Sequence, residues 1–119
     1  MPAGTYNFTI EQGAKFFRDI TWKNANRSPV NISGYVFRMM ARYKHDDAEP
    51  LISLSTVEPP GGITIVDAPN GRFRISLTQA QTTALNFVEA IYDLEAVPPT
   101  EDAMRLLEGK ITLSKEVTK

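Results

Sequence analysis

Residues 35–43 read YVFRMMARY, and the fold is decided here. Alternate positions place Tyr35, Phe37, Met39, Ala41 and Tyr43 on one face, with Val36, Arg38, Met40 and Arg42 on the other. Side chains of a strand point alternately to its two faces, so this pattern reads as a long, half-buried β-strand. Towards the N-terminus, Asn31-Ile32-Ser33-Gly34 is a turn signal and residues 23–29 (KNANRSP) read as a loop. Residues 15–22 form a further strand, with Phe16, Ile20 and Trp22 on one face and Phe17, Asp19 and Thr21 on the other. Arg18 interrupts its apolar face, which places that strand at a sheet edge or makes the arginine reach out to water along its own stem. Gly13 marks a turn, and residues 6–10 alternate again through Tyr6, Phe8 and Ile10.

The same period runs towards the C-terminus. Residues 51–55 are a short strand, and residues 58–62 (EPPGG) are the strongest breaker in the chain. Residues 63–66 and 72–77 read as a hairpin around Pro69-Asn70-Gly71, with Phe73, Ile75 and Leu77 inward. Residues 78–85 are expected to form a short helix, capped by Thr78 and packed through Ala80, Ala84 and Leu85. Residues 90–97 show Ala90, Tyr92, Leu94 and Ala96 on one face and Ile91, Asp93 and Glu95 on the other. Residues 105–113 close the series, with Leu107, Gly109, Ile111 and Leu113 on one side. About seven or eight strands at this spacing predict an all-β fold, an antiparallel β-sandwich with one short helix near residues 78–85. The expected organisation is one domain over residues 1–119, with extended arms at residues 1–5 and 114–119.

Composition excludes more than it assigns. The chain has 119 residues, 13 Lys plus Arg, 14 Asp plus Glu, one histidine (His45) and no cysteine. That leaves no disulfide framework, thiolate nucleophile or multi-histidine metal site. A net charge of −1 argues against a nucleic-acid binder or a polybasic membrane module. No apolar run approaches the ~20 residues of a membrane span. The opening MPAGTYNFTI has neither a basic nor an apolar leader region, so a signal peptide is not expected. The near-neutral total hides an asymmetry. Lys15, Arg18, Lys23 and Arg27 outnumber Glu11 and Asp19 in residues 1–30, while Glu58, Asp67, Glu89, Asp93 and Glu95 outnumber Arg72 and Arg74 in residues 51–99. Two patches of opposite sign on opposite surfaces would suit head-to-tail docking of copies.

Chemistry-bearing clusters are few. His45, Asp46, Asp47 and Glu49 share a loop, but the glycine and spacing of a calcium loop are missing, so it reads as a solvated connection. Asp93 and Glu95 share a strand face, where cross-strand pairing with Arg72, Arg74 or Arg105 is the expected use rather than glycoside hydrolysis. Arg38 and Arg42 form a basic row suited to phosphate, to a carboxylate-bearing sugar or to an acidic partner. Trp22, Phe16, Phe17, Tyr35, Tyr43 and Tyr92 would serve either as core or as a sugar-stacking platform. Apolar residues on faces that should otherwise be wet mark a candidate interface: Phe17, Val36, Met40 and Ile91, with Arg38 and Arg42 beside them. No catalytic, cofactor-binding or metal-binding residue is assigned.

The stretches GTYNFTIEQGA (residues 4–14), ITWKNANRSPVNISGY (residues 20–35), YDLE (residues 92–95) and RLLEGKITLSKEVT (residues 105–118) together resemble small structural proteins of tailed bacteriophages. Glu89-Ala90 stands where that group has a glycine–aromatic turn. The resemblance implies an immunoglobulin-like sandwich on the virion, either decorating the capsid or acting as a tail or baseplate adaptor, assembled in the bacterial host cytoplasm. It implies partners among the major capsid or tail proteins and copies of the chain itself, no nucleic acid, no membrane, no cofactor and no enzyme activity. The competing expectation is a carbohydrate-binding module that contacts the host surface.

Overall fold

The computed structural model describes residues 4–43, 50–57 and 61–115. The loop holding His45, Asp46, Asp47 and Glu49 lies outside the described residues, as do residues 1–3, 58–60 and 116–119. Nine strands and one short helix are described: β1 (Gly4–Thr5), β2 (Phe8–Glu11), β3 (Phe16–Thr21), β4 (Val36–Arg42), β5 (Ile52–Ser55), β6 (Ile63–Asp67), β7 (Arg72–Leu77), α1 (Gln79–Ala84), β8 (Glu89–Val97) and β9 (Met104–Ser114).

Two sheets pack face to face. The larger runs β1–β9–β8–β4–β5, with β2 also on β9, and the smaller runs β3–β7–β6. Alternation in each strand supplies the core. In β4, Phe37, Met39 and Ala41 are buried; in β7, Phe73, Ile75 and Leu77; in β8, Ala90, Tyr92, Leu94 and Ala96. The Phe37 and Phe73 rings, both without solvent exposure, stack 4.4 Å apart between the sheets. Phe8 stacks on Phe16 at 5.5 Å and meets Tyr92 edge-on at 5.2 Å. Burying such aromatic side chains is the main favourable term in a sandwich of this size. The β6–β7 hairpin turns through a 3-10 segment at Ala68–Asn70, and Gly71 at φ 69° makes the reversal. A Cβ on Gly71 would lie 2.6 Å from the Trp22 carbonyl oxygen, so only glycine fits.

The structure departs from the sequence reading at the edges. β1 and β2 run parallel to β9, through Gly4↔Leu107 and Phe8↔Ile111, so the larger sheet is mixed rather than antiparallel. Period-two alternation fixes which side of a strand is buried but carries nothing about its neighbour's direction. Gly4 and Thr5 were expected in a free arm, yet they pair with β9 of the same chain, and Ser114 belongs to β9. The alternating run at 6–10 is broken at Tyr6–Asn7. There the Tyr6 N–H donates to the Glu108 carbonyl at 2.9 Å, and the Asn7 Oδ1 accepts from the Lys110 N–H at 2.8 Å in place of a ladder bond.

The helix forms where expected but packs differently. Thr78 caps it in a reciprocal box: its hydroxyl accepts from the Gln81 N–H at 3.1 Å, and the Gln81 Oε1 accepts from the Thr78 N–H at 2.8 Å. Ala80 and Ala84 are exposed and Leu85 is half-buried, so the expected alanine contact is not made. The helix is anchored instead by buried Thr82, whose hydroxyl accepts from the Gly13 N–H and donates to the Ala14 carbonyl at 2.8 Å. Six residues are too short for an apolar stripe, and the Thr82 hydroxyl, with the Gln12 side-chain amide donating to the Leu85 carbonyl at 2.8 Å, ties the helix to the segment before β3.

Candidate functional site

The six residues singled out by alternation lie on two opposite surfaces. Val36, Arg38, Met40, Arg42 and Ile91 share the outward face of the larger sheet, because β4 and β8 pair in the register Val36↔Val97, Arg38↔Glu95, Met40↔Asp93 and Arg42↔Ile91. Phe17 lies on the outward face of the smaller sheet, directly opposite Ser76 of β7.

On the larger sheet every charge on β8 has a cross-strand cation. Arg38 Nη2 lies 3.8 Å from Glu95 Oε1, and Lys110 Nζ lies 3.6 Å from Glu89 Oε1. Asp93 sits directly opposite Glu108, a repulsive arrangement on its own. Arg105 resolves it by reaching both carboxylates, at 3.8 Å and 3.9 Å. Asp93 and Glu95 therefore act as members of a charge ladder. Of the partners foreseen for them, Arg105 does serve Asp93, whereas Arg72 and Arg74 lie on the other sheet and Arg38 serves Glu95 instead. Val36, Met40 and Ile91 are half-buried among these residues, and Arg42 Nη2 donates to Met40 Sδ at 3.4 Å. The depression lined by Met40, Arg42, Ile91 and Asp93 holds about 30 Å³, enough for water and far below the few hundred Å³ of a ligand site.

The smaller sheet presents a different surface. Phe17 is 59% exposed. Opposite Asp19, Arg74 makes a two-pronged contact, with Nε 2.6 Å and Nη2 3.2 Å from the two carboxylate oxygens. The same guanidinium lies 5.6 Å from the centre of the Phe17 ring. The hydrogen bond from Arg74 holds the Asp19 carboxyl below its ordinary value, with the charges of Arg74 and Arg72 adding to it against desolvation. Arg18, on the inward side of β3, stacks its guanidinium 5.5 Å from the Phe16 ring, as suits a charge at a sheet edge.

The linear charge asymmetry does not become two opposed patches. Arg72 and Arg74 share the smaller sheet with Arg18 and Asp19, while Glu89, Asp93 and Glu95 are each neutralised by cations of the larger sheet. Cross-strand pairing sorts charges by register, not by position along the chain.

The aromatic residues do not form one exposed platform. Tyr92 is buried and its hydroxyl donates to the Tyr6 carbonyl; burial pushes that hydroxyl well above its ordinary titration range. Trp22 is half-buried and meets Tyr35 edge-on at 5.9 Å. Tyr43 is exposed and donates to the Asn86 carbonyl at 3.2 Å. One feature escapes strand-by-strand reading. A groove of about 340 Å³ opens between the sheets, lined by Gly4, Ile20, Trp22, Leu106 and Leu107. It depends on the bulge in β9, where Leu107 pairs with Leu94 and Arg105 with Glu95, leaving Leu106 as the extra residue. Among the described residues, no group of three or more His, Asp or Glu side chains is placed to share a metal ion, and no helix is long and apolar enough to cross a membrane.

No model of a known protein family matches the chain, and no curated protein matches it in sequence.

Proposed function

We propose that this protein is a non-enzymatic accessory component of a tailed-phage virion, docking on the particle as a capsid decoration or as a tail or baseplate adaptor. The observation that carries the reading is the character of the two outward faces: sheet surfaces on which apolar side chains are interleaved with ion-paired charges. Such surfaces suit protein–protein contact, where an apolar centre is framed by polar groups. Repetition on a lattice adds strength to small individual contacts through effective concentration.

The proposed fold type is immunoglobulin-like. In that scheme β3–β7–β6 takes the place of strands B, E and D, and β9–β8–β4–β5 that of G, F, C and C′, with the first strand on the larger sheet. The resemblance of residues 4–14, 20–35, 92–95 and 105–118 to phage structural proteins is what suggests this fold type. The particle reading is favoured over a carbohydrate-binding module because Tyr92 is buried, Trp22 and Tyr35 meet edge-on, and Tyr43 stands apart from them, so these rings share no stacking plane.

The test is fractionation. Particles purified through a density gradient are expected to carry the protein in fixed stoichiometry to the major capsid or tail protein. Its absence from intact particles overturns the reading.

A further inference from the structure

β3 is the end strand of the smaller sheet, bonded to β7 on one side and to no other described strand. The open stretch has clear limits. At its start, the Gly13 N–H and the Ala14 carbonyl are bound by Thr82. At its finish, β3 ends at Thr21; beyond it the Trp22 N–H continues the β7 side, donating to the Gly71 carbonyl at 2.8 Å, and the Trp22 carbonyl accepts from Val30 at 3.0 Å. Seven residues lie between, Lys15 to Thr21, and a groove of about 320 Å³ separates the first four of them, Lys15 to Arg18, from Thr9 and Glu11 of β2.

We propose that this edge pairs with the same edge of a second copy, antiparallel, about a two-fold axis passing through Phe17. A two-fold that joins two identical edges antiparallel stands normal to the sheet, so residues of like face meet and the axis passes through a residue pair. Full overlap of the open stretch would centre on Arg18 and set arginine against arginine. Moving the axis one residue towards the C-terminus sets Asp19 against Asp19. Moving it one residue the other way sets Phe17 against Phe17, Phe16 against Arg18 and Lys15 against Asp19, each pair occurring twice or on the axis. That register alone turns all three contacts into complementary ones: an aromatic pair, two cation–ring contacts and two ion pairs. Asp19 has the lone pairs to accept a lysine while holding Arg74. It also covers Phe17, the exposed large aromatic of this face. Charges on an edge ordinarily deter pairing; here Arg18 and Asp19 deter the two neighbouring registers and leave one.

Five residue pairs make an interface well below the standard size, so association in the micromolar to millimolar range is expected. The inference does not rest on the particle reading, and failure of the fractionation test leaves it standing. Sedimentation of the native chain from about 10 μM to about 1 mM is expected to show a monomer–dimer equilibrium in that range, and Lys15→Glu to weaken it about tenfold by reversing two ion pairs. Because the chain has no cysteine, single replacements report the register directly. Phe17→Cys places two thiols opposite each other across the axis, within small adjustment of disulfide distance, and is expected to cross-link under mild oxidation. Thr21→Cys places its thiols roughly 26 Å apart along the strands and is expected to stay reduced, as is Thr64→Cys on the far edge strand β6. A chain that stays monomeric throughout, preferential cross-linking through Thr21→Cys or Thr64→Cys, or a Lys15→Glu variant that dimerises as tightly as the native chain overturns the proposal.

Discussion

The larger sheet covers the edge of β9 with β1 and β2, whereas the smaller sheet leaves the edge of β3 open on the same side of the sandwich. The covered edge is secured by three devices at one crossing point. The Tyr92 hydroxyl holds the Tyr6 carbonyl, Asn7 stands in for a ladder bond to Lys110, and Gly109 lets the chain pass close over β9. The open edge has none of these; it carries the inward charge of Arg18 and the outward ring of Phe17. The outward faces differ in the same sense. Ion pairs on the larger sheet are 3.6–3.9 Å long and partly hydrated, three of them between strands and one, Arg105–Glu108, within β9. On the smaller sheet a single bidentate pair orders the surface around one aromatic ring. The β9 edge is closed within the chain, and the β3 edge beside it is not.

The largest effect is expected from Gly109→Ala, which attacks the covered edge. A Cβ there would stand 2.2 Å from the Tyr6 carbonyl oxygen, a backbone atom that cannot rotate away. Relief requires lifting β1 and β2 off β9, at a cost of about 3 kcal/mol. Urea denaturation measures the loss. Amide exchange should show β1 and β2 opening while β3–β7 keeps its protection; equal loosening of both sheets would mean that the two edges are not independent.

Tyr92→Phe tests the same crossing more gently, since it removes one hydroxyl and leaves the ring. The expected loss is about 1 kcal/mol, the usual worth of a hydrogen bond to a neutral backbone acceptor. It has a pH signature. Burial raises the Tyr92 hydroxyl above its ordinary value of 10.0. The unfolded chain therefore loses this proton first, and native stability declines as pH rises past that value. The phenylalanine variant lacks that part of the decline, so the gap between the two proteins should close in alkaline solution.

How much of this was legible in the sequence follows from what alternation can carry. It located the buried faces of β3, β4, β7 and β8, because a strand's inside and outside are written in its own residues. It also read Arg18 as either at a sheet edge or reaching out along its own stem, and β3 is an edge strand. Pairing was not legible. Arg38 and Glu95 are 57 positions apart and meet only through the β4–β8 register, which no local pattern encodes. The parallel approach of β2 to β9 and the β9 bulge that frees Leu106 are likewise non-local. Gly109 did carry a local signal, since a lone glycine within a strand often marks a close backbone approach, but the alternation placed it among core-facing positions. Five of the six candidate surface residues fell on one face because they belong to two strands that happen to be neighbours; Phe17, on a strand of the other sheet, joined the opposite surface.

The smallest effect is expected from Asp19→Asn, on the side that lacks the larger sheet's redundancy. The native carboxyl is held below its ordinary value of 3.8 by the Arg74 hydrogen bond. In neutral solution Asp19 is charged in both the folded and unfolded chain, so its pairing with Arg74 contributes in full. As pH falls below 3.8, the unfolded chain takes up the proton first, and the contribution drains away until the folded carboxyl is protonated too. The asparagine variant has no such loss. The native chain should therefore be slightly the more stable at neutral pH, with the difference shrinking through the acid range and in high salt, because both groups are solvent-exposed. Thermal unfolding at a series of pH values reads this directly. A difference that stays constant from neutral to acid would show that Arg74 is positioned by Phe17 and not by Asp19, and the ordering of this face would then belong to the aromatic ring.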